Sequence, residues 1–130
     1  MGGLAAVELG GTRCRFATGT ASAVVERFEI PTGDPQPTLA ALAERLHEFG
    51  PFRAMGIASF GPLRLDSGAA DFGQLLAESK PGWNGVDVVS PFQPLADKFV
   101  LETDVGAAAL GEQLKLGGSG TLAYVTVGTG

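Results

Sequence analysis

The segment Glu8-Leu9-Gly10-Gly11-Thr12 places an acidic side chain, two glycines and a hydroxyl at the end of an apolar run. Paired glycines let backbone N–H groups approach an anion with no Cβ in the way, and Thr12 adds a hydroxyl. The same pair also suits a plain hairpin turn. It is neither a P-loop nor a dinucleotide fingerprint: the lysine and spacing of the first are absent, and no helix follows as the second requires. Glu8, just before the turn, can reach a metal ion through water or remain a surface carboxylate. Asp104 stands between an apolar run and an alanine-rich segment. Two roles fit it. Asp is a favoured helix N-cap. A carboxylate at the carboxyl end of a strand also sits where α/β proteins place ligands. Phosphoryl transfer to a hydroxyl needs one such group to align the nucleophile and accept its proton. Trp83, in Lys80-Pro81-Gly82-Trp83, either closes over a sugar or plugs its loop onto the core. His47 and Cys14, the single histidine and the single cysteine, make no metal site.

Periodicity supplies the elements that must position these groups. Leu4 to Leu9 reads as a strand, Arg13 to Thr18 alternates Cys14 and Phe16 against Arg13 and Arg15, and Ala23 to Ile30 makes a third strand. Short turns join them as an antiparallel meander. Asp34-Pro35 then caps a helix carrying Leu39, Leu42, Ala43, Leu46 and Phe49, which Gly50-Pro51 stops. Ala54 to Phe60 is a small-residue strand ending in Gly61-Pro62. Leu63 to Gly85 has little periodicity and reads as a long functional loop. A short helix is expected over Pro91 to Phe99, a strand over Val100 to Thr103 and a helix over Val105 to Leu116. Thr121 to Val127 reads as a last strand before Gly128-Thr129-Gly130. VELGGT and VTVGTG carry the same apolar-strand-then-glycine theme, a weak internal duplication. A meander followed by βα units implies an α/β fold, a mixed sheet with flanking helices.

Composition bounds the function. The 130 residues make one ordinary domain, and 45% hydrophobic against 18% charged residues suits a packed core. A formal net charge of -5 argues against a nucleic-acid footprint, which needs a basic face. One cysteine excludes an internal disulfide and points to a reducing compartment, so a cytoplasmic location is expected. The start MGGLAAVEL lacks the basic region of a signal peptide. No apolar run is long enough to span a membrane.

Taken together, the segments resemble the ROK family of sugar kinases and regulators. VELGGTRCRFATG resembles the family's first phosphate motif, with Glu8 and Arg13 where Asp and Lys are commoner; the Glu form occurs in fructokinase-like members. Gly56-Ile57-Ala58-Ser59-Phe60-Gly61-Pro62 resembles the sugar-site strand and turn, and Ser79-Lys80-Pro81-Gly82-Trp83 a fructokinase-type loop. Glu102 to Glu112 is similar to the catalytic segment, with Gly106 where asparagine is usual. Thr126 to Gly130 is similar to the second phosphate loop.

The resemblance implies a ribonuclease-H-like, actin-like ATPase fold of two lobes. Residues 1–120 would be the amino-terminal lobe, and 121–130 the first strand and phosphate loop of the second. It implies Asp104 as catalytic base. Gly10, Gly11, Thr12 and Arg13, with Gly128, Thr129 and Gly130, would face the ATP phosphates. Gly61 and Thr103 would border the sugar beside Asp104, and Glu8 would help place magnesium through water. The implied reaction is ATP-dependent phosphorylation of a hexose, fructose by preference, with Mg2+ and ATP. Glucokinase and N-acetylhexosamine kinase activities, or a non-catalytic truncated remnant, are the alternatives. A sugar-responsive repressor would need a helix-turn-helix ahead of the first strand. Neither nucleic acid nor membrane is an expected partner, and full-length members are expected to be homodimers. The family's zinc segment, its glutamate-histidine sugar contacts and its adenine pocket lie beyond Gly130, so the isolated chain is expected to be inactive.

Overall fold

In the computed structural model, residues 3–118, 120–125 and 127 are described. Alternation builds the sheet. β1 (Leu4–Leu9), β2 (Arg13–Gly19) and β3 (Val24–Pro31) form the antiparallel meander, with Val7 opposite Phe16 and Phe16 opposite Phe28. β4 (Ala54–Ser59) and β5 (Phe99–Thr103) then add in parallel, giving the order β3-β2-β1-β4-β5. Val7, Leu9, Cys14, Phe16, Met55 and Ile57 point to one face and are buried. Helix α1 (Pro35–His47) lays Leu39, Leu42 and Leu46 into the same core. Spacing of three and four residues along α1 makes that single apolar stripe.

Helix α2 (Asp104–Lys115) packs against β4 and β5. The groove beside it is floored by the residues of the alternate phase, such as Ala6, Gly56 and Ala58. The helix buries no residue fully, and its Leu114 is 81% exposed. Its start is held by backbone and cap bonds more than by packing.

Register decides where ligands can go. Leu9 pairs with Ser59, and Ser59 with Thr103. The carboxyl ends of the three parallel strands therefore line up at one edge, where open α/β sheets bind ligands. Adjacent strands lie about 4.8 Å apart, so the Gly10 turn and Asp104 stand about 10 Å apart across that edge.

Several elements differ from the sequence expectation. Asp34 occupies the N-cap position of α1, but its side chain makes no cap bond. Thr38 Oγ1 accepts from Gly33 N instead, at 3.1 Å. The expected helix after Pro91 is a short 3₁₀ turn over Ser90–Leu95, because Pro94 interrupts it and Phe99 already belongs to β5. It starts where Asp87 accepts from Val89 N and Ser90 N. Burial works to raise the Asp87 pKa, but the bonds from Ser90 and Val89 outweigh it and hold the carboxyl below its ordinary value.

The segment from Leu63 to Gly85 is pinned by isolated bridges, Leu63 to Leu75 and Gln74 to Asp87. Leu75, Ala77, Trp83 and Val88 are buried beneath it. Single bridges leave no periodic signature, which is why alternation is missing from that sequence. The expected last strand is absent among the described residues: 121–125 and 127 carry no regular structure and pair with none of the five strands. A β-prone sequence becomes a strand only where a neighbour supplies hydrogen bonds.

Candidate active site

The Gly10-Gly11-Thr12 turn is a rigid hairpin. Gly10 N donates to Arg13 O at 3.0 Å, and a Cβ on Gly10 would lie 2.5 Å from that same oxygen. Glycine is therefore required there by the fold itself. The turn is braced from the end of β3: Thr32 Oγ1 donates to Gly10 O at 2.7 Å, and Thr32 N donates to Thr12 O at 2.8 Å. Cys14 Sγ lies 3.1 Å from Thr32 Oγ1 in the same cluster. Burial pushes the Cys14 thiol up, only partly countered by its bonds to Thr32 and Gly10 and by the charge of Lys80. The cysteine is a buried packing group.

Gly11 is different. A Cβ there would meet nothing within 4 Å. Among the described residues, the amides of Gly11 and Thr12 donate to no protein group. Two adjacent amides, on exposed residues at the carboxyl end of β1, are thus left without a protein acceptor among the described residues. These two glycines should separate experimentally. Gly10→Ala is expected to destabilise the fold by about 1–3 kcal/mol, through forced backbone movement. Gly11→Ala should stay within ~0.5 kcal/mol of the parent while weakening phosphate binding. Urea unfolding and a phosphate titration on both variants make the comparison. Equal stability losses would show that both glycines serve the hairpin alone.

The basic residue that follows the turn is already occupied. Arg13 Nε pairs with Glu29 at 3.0 Å. Arg15 bridges Glu8 at 3.0 Å and Glu29 at 3.4 Å, which gives a lattice of four charges across β1, β2 and β3. All four side chains are about half exposed, so each pair contributes at most ~1 kcal/mol. The lattice fixes where the charges stand. Glu8 borders a groove of about 750 Å3 that also meets Ala58, Glu102, Asp104 and Leu110.

At the second turn, a Cβ on Gly61 would lie 3.5 Å from Thr103 Cγ2. Gly61 and Thr103 are thus neighbours. At the third position the structure gives the helix cap to the residue before Asp104. Thr103 is the N-cap of α2, and its Oγ1 accepts from Gly106 N at 3.1 Å. Asp104 is the first helical residue, with Oδ1 accepting from Val105 N at 2.9 Å. The cap is threonine, so Asp104 is released from that duty, and its second carboxylate oxygen has no partner among the described residues.

Glu102 curls back over the same helix start. Its Oε1 accepts from Thr103 N at 2.8 Å and from Thr103 Oγ1 at 3.3 Å. A Cβ on Gly106 would lie 2.5 Å from that carboxylate. Gly106 and the Glu102 side chain thus share one space at the helix start, and a larger residue at 106 would displace that carboxylate. Acidic groups at a helix amino end are favoured by its dipole.

Gly10, Gly11, Thr12, Gly61, Thr103 and Asp104 thus gather at one edge of the sheet, and Glu8 stands two residues before Gly10. Arg13 is turned to Glu29. Gly128, Thr129 and Gly130 lie outside the described residues. No cluster of three or more metal-ligating side chains forms among the described residues. Trp83 is fully buried and donates Nε1–H to Gly33 O at 3.0 Å, so it plugs the loop onto the core and does not close over a ligand. Sequence reasoning assigned no role to Lys80, Thr32 or Glu102. Their contacts join segments far apart in the chain or fold back onto α2, and no local pattern announces them.

The model of the ROK family matches residues 4–130. A fructokinase of Zymomonas mobilis is 38% identical over 135 residues, covering 95% of this chain and 44% of that protein. A fructokinase of Streptococcus mutans is 30% identical, covering 95% of this chain and 43% of the relative. The chain therefore spans less than half the length of these curated relatives. Among solved structures, a ROK family glucokinase from Streptomyces griseus in complex with glucose and AMPPNP superposes with a TM-score of 0.67, at 20% identity over 86% of this chain and 36% of that one. The superposition shows the fold, a ribonuclease-H-like lobe of the actin-like ATPase type.

Proposed function

Because the chain belongs to the ROK family, we propose that it forms the sugar-facing lobe of an ATP-dependent hexose kinase with fructose as preferred acceptor. The observation that carries this reading is the alignment, at one sheet edge, of amides at Gly11 and Thr12 that have no protein acceptor among the described residues, the Gly61–Thr103 contact and an Asp104 relieved of capping. Asp104 accepts the proton of the attacking sugar hydroxyl and aligns its oxygen. The amides of Gly11 and Thr12 hold phosphate oxygens as charge shifts between the reacting groups. Thr103 and the Gly61 turn form the floor on which the sugar rests.

Magnesium fits the acid residues present. The cation takes oxygen ligands and keeps several waters, so one or two carboxylates plus phosphates suffice. Glu8, half-exposed and bordering the same groove as Asp104, suits an outer role through water. When bound, the ion would neutralise charge on the transferring phosphoryl group.

The preference for fructose rests on the fructokinase names of the relatives and on the Glu8 and Lys80-Pro81-Gly82-Trp83 features of this sequence. A cytoplasmic setting and homodimeric assembly belong to the same reading. A coupled assay with Mg-ATP on the enzyme that carries this lobe tests it, run over fructose, glucose, mannose and N-acetylglucosamine. Fructose should give the highest kcat/KM, at turnover within roughly 1–100 per second. The 130-residue lobe alone should show none. Glucose or N-acetylglucosamine ahead of fructose would move the assignment within the family. No phosphorylation of any of the four would overturn it.

A further inference from the structure

We propose that Lys80 is the cation that grips the transferring phosphates, taking the role the sequence pattern gives to Arg13. The inference rests on reading the Gly10–Thr12 turn as a phosphate site. Lys80 Nζ reaches across the fold and donates to Gly11 O, the carbonyl between the Gly11 and Thr12 amides. The contact joins residues 69 positions apart in sequence. Among the described residues no carboxylate lies within ion-pair distance of Lys80, whereas Arg13 and Arg15 are both held by Glu29. A neutral carbonyl is a weaker acceptor than a phosphate oxygen. A lysine on a flexible four-carbon stem can exchange one for the other without moving its backbone.

That backbone is firmly seated. Lys80 N donates to Ala77 O at 3.2 Å, Trp83 N donates to Lys80 O at 3.1 Å, and the buried Trp83 ring anchors the turn to Gly33. The loop therefore presents a single unpaired positive charge at the mouth of the turn. Arg13 remains a structural tie between β2 and β3.

The test uses the whole chain with inorganic tripolyphosphate as probe, followed through the amide NMR signals of Gly11 and Thr12. The parent should show saturable shifts at both amides. Lys80→Met should raise the Kd about tenfold to a hundredfold, the loss expected for one charge-assisted hydrogen bond, with unfolding unchanged. Lys80→Arg should restore most of the affinity. Lys98→Met removes the same charge from the opposite end of the sheet and should change Kd less than threefold, as should Arg13→Met. Equal affinities for the parent and Lys80→Met would overturn the proposal, and so would no shift in the parent or a dominant effect of Arg13→Met. Failure of the kinase reading is separate: it appears as absent hexose turnover while the Lys80-dependent shifts persist.

Discussion

On the proposed kinase reading, Asp104→Asn should lower kcat of the enzyme that carries this lobe by about 10²–10⁴-fold, the contribution typical of a positioned general base. Folding should be nearly untouched. The cap of α2 belongs to Thr103, whose Oγ1 holds Gly106 N at 3.1 Å. An asparagine at 104 still offers an oxygen to Val105 N, which now bonds to Asp104 Oδ1 at 2.9 Å. What is lost to stability is one negative charge at a helix amino end, about 0.3–1 kcal/mol. Thr103→Ala should lose ~1 kcal/mol from the missing cap with the Asp104 carboxylate still present, and because Thr103 borders the proposed sugar floor its kinetic effect should fall on KM. Steady-state kinetics and thermal unfolding on the two variants then separate a loss of kcat at Asp104 from a loss of stability and a raised KM at Thr103. If Asp104→Asn kept more than a tenth of its rate, the aspartate would be a helix-terminus acid with no part in proton transfer.

Those two side chains also mark what one sequence can disclose. The segment Glu102-Thr103-Asp104 places a strand end, a hydroxyl and a carboxylate in a row. Both Thr and Asp are good caps, and nothing local says which residue takes the position. The answer depends on where β5 ends against β4, which is a matter of register. β1 and β2 were legible because one face of each is buried, so Cys14 and Phe16 alternate cleanly with Arg13 and Arg15. Helix α1 was legible for the same reason at its own period. The segment over Leu63 to Gly85 was not, because its order comes from single bridges and from Leu75 and Trp83 dropping into the core. The tail failed in the other direction. Leu122 to Val125 has strand-forming residues, yet Tyr124 is 45% and Val125 81% exposed, with no partner strand beside them. Of the site, the glycine turn and Asp104 were visible as local motifs. The bonds from Lys80 to Gly11 and from Thr32 to Gly10 span long stretches of sequence and needed the fold to bring them together.

Trp83→Ala is expected to cost about 3–5 kcal/mol, a large part of the 5–15 kcal/mol that holds a domain of this kind together. The indole is fully buried and meets the Phe60 ring edge-on, with centroids 5.4 Å apart. Its Nε1–H satisfies Gly33 O at 3.0 Å. One side chain therefore ties three places: the end of β4 at Phe60, the connection from β3 to α1 at Gly33, and the turn that carries Lys80. Trp83→Phe keeps much of the ring contact and removes the donor. It should cost about 0.5–1.5 kcal/mol, the net contribution of the lost hydrogen bond to the exposed Gly33. Trp83 is the single tryptophan, so its fluorescence follows unfolding of the parent and circular dichroism must follow the variants. Phosphate affinity should fall in both, and further in Trp83→Ala, because the seat of Lys80 loosens with the anchor. A loss under ~1 kcal/mol for Trp83→Ala would contradict the anchor role. It would mean that the loop holds its course through the Leu63–Leu75 and Gln74–Asp87 bridges alone.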